Sequence, residues 1–210
     1  MNRIHQDDSQ TGTAHIESLI NEARQGNKDA LGELLETHRR YLVFLARSGL
    51  HEDMRAKTDP SDIAQEVCVA AQGNMAEFRG ESPEDFAAWI RGILKNTLSM
   101  HCRKYLGTLK RDVRLEQRCS QSVSDASDFL QSQMAADITS PSQHLARKET
   151  SLQLAEAIER LPEDYREVIM LRHVQSLPFA DVASEMGRSV DSVEKLWVRG
   201  LAKLQGLMKE

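Results

Sequence analysis

Apolar residues recur at three- and four-residue steps along most of this chain, the spacing of one buried face of an α-helix. Ile16, Leu19, Ile20 and Ala23 form a first stripe, which Gly26 ends. Asn27 caps a second, in which Leu31, Leu34, Leu35, His38, Leu42 and Leu45 keep the period. His38, set among leucines, reads as a core-edge histidine rather than a ligand. A third helix has a clear start, because Asp59 is a good N-cap, Pro60 fits the first helical position and Asp62 adds negative charge to the first turn. Ile63, Val67, Ala70, Ala71 and Met75 are its expected buried side. Asp62, Gln65, Glu66 and Val69 share a neighbouring, mostly polar strip. A fourth helix opens at Ser82, with Pro83 in the first position and Asp85 where a capping-box acid sits. It runs through Phe86, Trp89, Ile90, Ile93, Leu94, Thr97 and His101 to about Tyr105, with Trp89 as a core anchor.

The last third carries a tighter pattern. SLPFADVASEMGRSVDSVEKLWVRGLAKL predicts a short helix, a glycine turn and a longer helix, which is a helix-turn-helix. Leu177, Val182, Ala183 and Met186 form the buried side of the first helix, Gly187 permits the left-handed turn, and Ser189 caps the second. Along that second helix Ser192, Lys195, Arg199 and Lys203 recur on one side, opposite Val193, Leu196, Trp197, Gly200 and Leu204. One side packs and the other is free to meet phosphates and base edges. Upstream, helical patterning spans His144 to Leu161, breaks at Pro162, and continues through Tyr165, Val168, Ile169, Leu171 and Val174.

Composition sharpens this picture. The 210 residues suffice for one or two small domains, and an aromatic content of 5% suits helices better than sheets. The net charge of -5 excludes nucleic-acid binding by bulk positive charge, so any such contact must be local. One basic stretch stands out: Arg91, Lys95, Arg103, Lys104, Lys110, Arg111, Arg114 and Arg118 face only Asp112 and Glu116. From Cys119 to Ala146 lysine and arginine vanish, serine is abundant, and Asp125, Asp128 and Asp137 carry the full charges. That segment reads as a flexible, mildly acidic linker. Residues 1–14 read as a disordered lead-in without the apolar core of a signal peptide, and no run has the length of a membrane span. Cys68, Cys102 and Cys119 lie far apart without CxxC or CxxH spacing, so the sequence indicates neither a disulfide framework nor a zinc site. Scattered histidines, and the lack of a GxxxxGK loop or a recognisable nucleophile signature, argue against an enzyme.

Two motifs together carry a resemblance. DPSDIAQEV with FRGESPEDFAAWIRGILKNTLSMHCRK is similar to region 2 of bacterial sigma factors, and LPEDYREVIMLRHVQSLPFADVASEMGRSVDSVEKLWVRGLAKL is similar to region 4. Their order, with no region 3 between them, resembles the extracytoplasmic-function (group IV) class of the sigma-70 family. The resemblance implies an all-α fold of two helical domains: a region 2 domain over 15–118, a linker over 119–146, and a region 4 domain over 147–210. It implies core RNA polymerase as partner, through the beta-prime clamp helices and the beta flap, with Asp62, Gln65 and Glu66 as polymerase contacts. Arg91, Lys95, Asn96, Arg103 and Lys104 would hold the melted minus-ten element, and Arg188, Ser192, Lys195 and Arg199 the minus-thirty-five duplex. An anti-sigma protein is a further partner it admits; no cofactor and no metal are implied, and the setting is cytoplasmic. The chain departs from the family where an aspartate is usual near Met100 and a basic residue near Glu194. Two other classes stay open: a helix-turn-helix regulator with an N-terminal helical sensor domain, and a helical protein-binding adaptor.

Overall fold

The computed structural model describes residues 5–50, 54, 57–106, 113–132 and 142–209, and its regular elements are all helical. Helix α1 (His5–Arg24) is followed by α2 (Lys28–Gly49), α3 (Pro60–Asn74), a 3-10 turn (Met75–Glu77), α4 (Pro83–Leu106) and α5 (Val113–Ser132). Then come α6 (Ser142–Glu159), α7 (Glu163–Ile169), a π-helical turn (Met170–Val174), α8 (Phe179–Glu185) and α9 (Val190–Leu207).

Local chemistry fixes the starts. Gly26 sits at φ +94°, and Asn27 Oδ1 accepts from the backbone N–H groups of Asp29 at 3.0 Å and Ala30 at 3.2 Å. Asp59 accepts from the N–H of Ser61 at 2.7 Å, ahead of Pro60 in the first turn. At α4, Ser82 Oγ accepts from the N–H of Asp85 at 3.1 Å while Asp85 Oδ2 accepts from the N–H groups of Glu81 and Ser82, a reciprocal capping box.

Helix α2 is the axis of the first core, packed by α1, α3, α5 and α6. Leu34, Leu42, Leu45, Ile63, Val67, Phe86, Ile90 and Leu94 are completely buried there. Each contributes about 1.5–3 kcal/mol relative to exposure. His38 is buried with them; its Nδ1 lies 2.8 Å from the Leu34 carbonyl and its ring meets Phe86 edge-on. A second core gathers Leu161, Val168, Ile169, Leu171, Val182, Ala183 and Val193 around the helix-turn-helix. The π-helical turn serves both, since Leu171 enters the second core while Met170 and Val174 enter the first.

Two expectations need correction. Helix α1 begins at His5, so the expected disordered lead-in over 1–14 is helical from that residue; its polar sequence gave no apolar stripe to detect. More consequentially, 119–132 is not a tether. Cys119, Val123, Ala126 and Leu130 line the buried face of α5 against α2 and α4. Sparse charge and abundant serine mimicked a linker, whereas small residues at helical spacing fit a close seam. Residues 133–141 lie outside the described residues. Helix α6 then lays Leu154, Ala155 and Ile158 into the first core, so the two domains touch. Across that contact Glu159 accepts from Arg47 Nε at 3.1 Å and Nη2 at 3.0 Å, and from Arg166 Nη1 at 3.1 Å.

The seam is tight enough to test. A Cβ on Gly49 would lie 2.6 Å from Leu98 Cδ1 and 2.8 Å from Val123 Cγ2. On a helix facing a loose tether, Gly49→Ala would stabilise by about 1 kcal/mol through propensity. Here both neighbours are fully buried and Val123 is stiff at χ1, so overpacking of about 1–3 kcal/mol outweighs that gain. Urea unfolding of Gly49→Ala is expected to show net destabilisation; a gain in stability would mean that α5 does not hold this seat.

Candidate nucleic-acid interface

On α3, Asp62, Gln65, Glu66 and Val69 are all exposed on adjoining turns, and Val69 is 59% exposed. The strip is knitted to its neighbours: Arg39 Nη1 donates to Gln65 Oε1 at 2.8 Å, and His101 Nε2 meets Glu66 Oε2 at 2.8 Å. The second contact ties the acidic strip directly to the basic helix α4.

The five residues expected to hold a melted strand do not share one face of α4. Asn96, Arg103 and Lys104 are exposed, together with Met100 at 59%. Arg91 and Lys95 are half-buried and point under α5. Arg91 Nη1 donates to Tyr41 Oη at 2.9 Å, and that hydroxyl lies 3.2 Å from Ser127 Oγ. Lys95 Nζ donates to Ser124 Oγ at 2.8 Å, and Ser124 in turn donates to the Ser120 carbonyl. These partners are neutral hydroxyls, so they fix the direction of the two side chains without supplying a countercharge. Ser124 and Ser127 gave no signal in the sequence, because serines in a segment read as a linker have no assigned face, and Tyr41 gave none because it lies 50 residues from Arg91. Of the other basic residues, Lys110 and Arg111 lie outside the described residues, and Arg118 is exposed on α5. Trp89 packs against Phe78 and Phe86, with ring centroids 5.0 and 5.7 Å away, as a core anchor.

The helix-turn-helix forms at the predicted turn. Gly187 adopts φ +60°, and the N–H of Arg188 reaches the Ala183 carbonyl at 2.9 Å, which closes α8. Ser189 Oγ then accepts from the N–H of Ser192 at 3.3 Å to start α9. Val193 and Gly200 pack inward, whereas Lys195, Arg199, Glu194 and Lys203 are exposed and Ser192 is half-buried. Arg188 bonds Asp164 at 2.8 Å and Lys195 bonds Asp191 at 2.7 Å, both exposed pairs that phosphate can displace at little cost. Val198 is 58% exposed among these polar residues. Among the described residues, no group of His, Cys, Asp or Glu is arranged to hold a metal ion, and no helix is long and apolar enough to cross a membrane.

An aromatic chain links this module to α5. Phe129 lies 6.0 Å from His173, which stacks on Trp197, which meets Phe179 edge-on. Trp197 Nε1 donates to His173 Nε2 at 2.9 Å, which requires a neutral imidazole. Burial, reinforced by nearby Arg172, pushes the His173 pKa below its ordinary 6.5. The unfolded chain therefore takes up this proton first, and stability present above 6.5 is lost as pH falls through the depressed folded value. Unfolding midpoints taken in steps below neutrality are expected to decline in this window, and His173→Gln, which still accepts from Trp197, should flatten the decline. An identical decline in the variant would assign it to other groups.

The family model Sigma-70 region 2 matches residues 34–106, and Sigma-70, region 4 matches residues 151–204, together more than half of the chain. RNA polymerase sigma factor NccH of Alcaligenes xylosoxydans xylosoxydans is 26% identical, over 92% of this chain and 94% of that protein. RNA polymerase sigma factor CnrH of Cupriavidus metallidurans is 29% identical, over 90% of this chain and 92% of its own. The solved structure of CnrH in complex with the cytosolic domain of CnrY aligns at a TM-score of 0.34 and 26% identity, covering 93% of this chain and 97% of that one. With both regions matched in order, and with relatives named as extracytoplasmic-function (ECF) sigma factors covered over 82–86% of their length, this chain belongs to the sigma-70 family of RNA polymerase sigma factors, in its ECF group.

Proposed function

We propose that this chain binds core RNA polymerase, directs it to specific promoters and helps open the duplex, without bond chemistry of its own. Nucleotide addition belongs to the polymerase, and the site of action is the cytoplasm. The observation that carries this reading is the adjacency of two unlike surfaces on one domain: the acidic and amide strip of α3 lies beside the basic helix α4, joined through Glu66 and His101. Asp62, Gln65 and Glu66 dock on the beta-prime clamp helices, where charge complementarity sets register and on-rate more than affinity. Asn96, Arg103 and Lys104 contact the melted minus-ten strand, joined by Arg91 and Lys95 once α5 yields them. Arg188, Ser192, Lys195 and Arg199 contact the minus-thirty-five duplex as α9 enters the major groove. The beta flap receives the second domain, and an anti-sigma protein is a partner that the two exposed surfaces would suit.

Run-off transcription with purified core polymerase on genomic fragments tests the reading. Discrete start sites that require the added chain are expected, together with a promoter gel shift seen only when core enzyme is present. A chain that shifts promoter DNA alone, as a dimer on paired half-sites, and never associates with core enzyme would overturn it.

A further inference from the structure

The contact between α4 and α5 carries two thiols that promoter recognition does not use. Cys102, in the last turns of α4, and Cys119, in the second turn of α5, are 2% and 4% exposed, and their Sγ atoms lie 3.2 Å apart. Cys102 Sγ also lies 3.6 Å from Met54 Sδ, in a pocket of sulfur and hydrocarbon. The two helices run antiparallel from this point. After Cys102 and Cys119 come Leu98 and Val123, both closing on Gly49; then Lys95 on Ser124; then Arg91, which shares the Tyr41 hydroxyl with Ser127. The thiols therefore stand at one end of the same seam that covers the two cations.

We infer that Cys102 and Cys119 form an oxidisable pair, a disulfide site whose closure pins α5 over Arg91 and Lys95 and withholds them from DNA. This rests on the assignment of those two cations to the promoter strand. Closure needs the sulfurs to approach to about 2.05 Å, roughly 1 Å nearer than they stand. The oxidant is a hydroperoxide. The thiolate of one cysteine attacks the O–O bond, which breaks; the sulfur takes one oxygen as a sulfenic acid, and the other leaves as water or an alcohol. The second thiol then attacks that sulfur, the S–S bond forms, the S–O bond breaks, and the oxygen leaves as water. Two thiols lose two electrons and the peroxide gains them.

Burial shields the pair while α5 is seated. The oxidant reaches a thiol when α5 lifts, which is also when Arg91 and Lys95 are open, and reclosure delivers the second thiol. Oxidation thus captures the competent form. Cys68, buried on α3 rather than on α4 or α5, is an internal control; burial raises its thiol pKa, against a smaller lowering by Arg39.

The test uses the full chain, wild type and Cys119→Ser, treated with hydrogen peroxide, quenched and digested without reductant. Peptide mass mapping is expected to find Cys102 linked to Cys119 in the wild type. Promoter opening with core polymerase should then fall about tenfold or more, core binding should hold, and dithiothreitol should restore opening. Cys119→Ser should keep its opening activity after peroxide. Absence of the linkage, or a linkage that leaves opening unchanged, would overturn the inference. Reduced wild-type protein that opens no promoter would instead defeat the promoter reading. In that case amine labelling of Lys95 decides: protection on oxidation sustains the lock, and equal labelling in both states overturns it.

Discussion

Reversing the charge of the two covered cations, Arg91→Glu with Lys95→Glu, is expected to abolish promoter opening while core polymerase still binds. The local charge passes from two positive to two negative, and a melted strand offers one phosphate per nucleotide to that surface. Each lost phosphate contact removes counterion release as well as attraction, so open-complex formation should fall on the order of a hundredfold and its salt dependence should flatten. The fold should survive. Carboxylates at these positions can accept from Tyr41 and Ser124, the hydroxyls that now serve the cations, so α5 keeps its seat. Permanganate reactivity of the minus-ten strand reads opening, and anisotropy of labelled protein reads core binding. Loss of core binding would mark this surface as a polymerase contact.

The other large effect lies at the domain contact. Glu159 has a side chain only 3% exposed, and it answers both Arg47 and Arg166. Glu159→Ala leaves two guanidinium groups facing each other in a partly dry site. Breaking such an arrangement costs about 3–5 kcal/mol, mostly as uncompensated charge; Arg47, at 30% exposure, can recruit water, which places the loss near the lower end. Urea unfolding should show a loss of unfolding free energy of that size, and a loss under about 1 kcal/mol would mean that the triad does not bind the domains together. Replacing all three residues with Met and Leu side chains of similar volume should recover much of the stability, because the desolvation cost disappears with the charges.

Most of the scaffold is legible in the sequence. Apolar stripes with explicit caps at Asn27, Asp59 and Ser82 declare α2, α3 and α4, and Gly187 with Ser189 declares the turn between α8 and α9. These signals are local, so one sequence suffices. Helix α5 was not legible for a physical reason: Cys119, Val123, Ala126 and Leu130 have the right period but little hydrophobic bulk, and serines fill the gaps. The candidate site divides the same way. Residue types and helix faces could be read, which placed Asn96, Arg103, Lys104 and the α3 strip at the surface. That Arg91 and Lys95 lie under a cover could not, since their partners are 29 or more residues away in the chain, or in contact through Tyr41. The same holds for Cys102 and Cys119, 17 residues apart and joined only by folding.

The chemistry of that cover has its own consequence. Serine and tyrosine oxygens lend lone pairs but no countercharge, so they orient the two cations without cancelling their field. An approaching polyanion is therefore drawn toward the helix before anything rearranges, and a phosphate needs only to outbid a neutral dipole for each cation. Had carboxylates stood at 124 and 127, the same geometry would have hidden the helix from nucleic acid electrically as well as sterically.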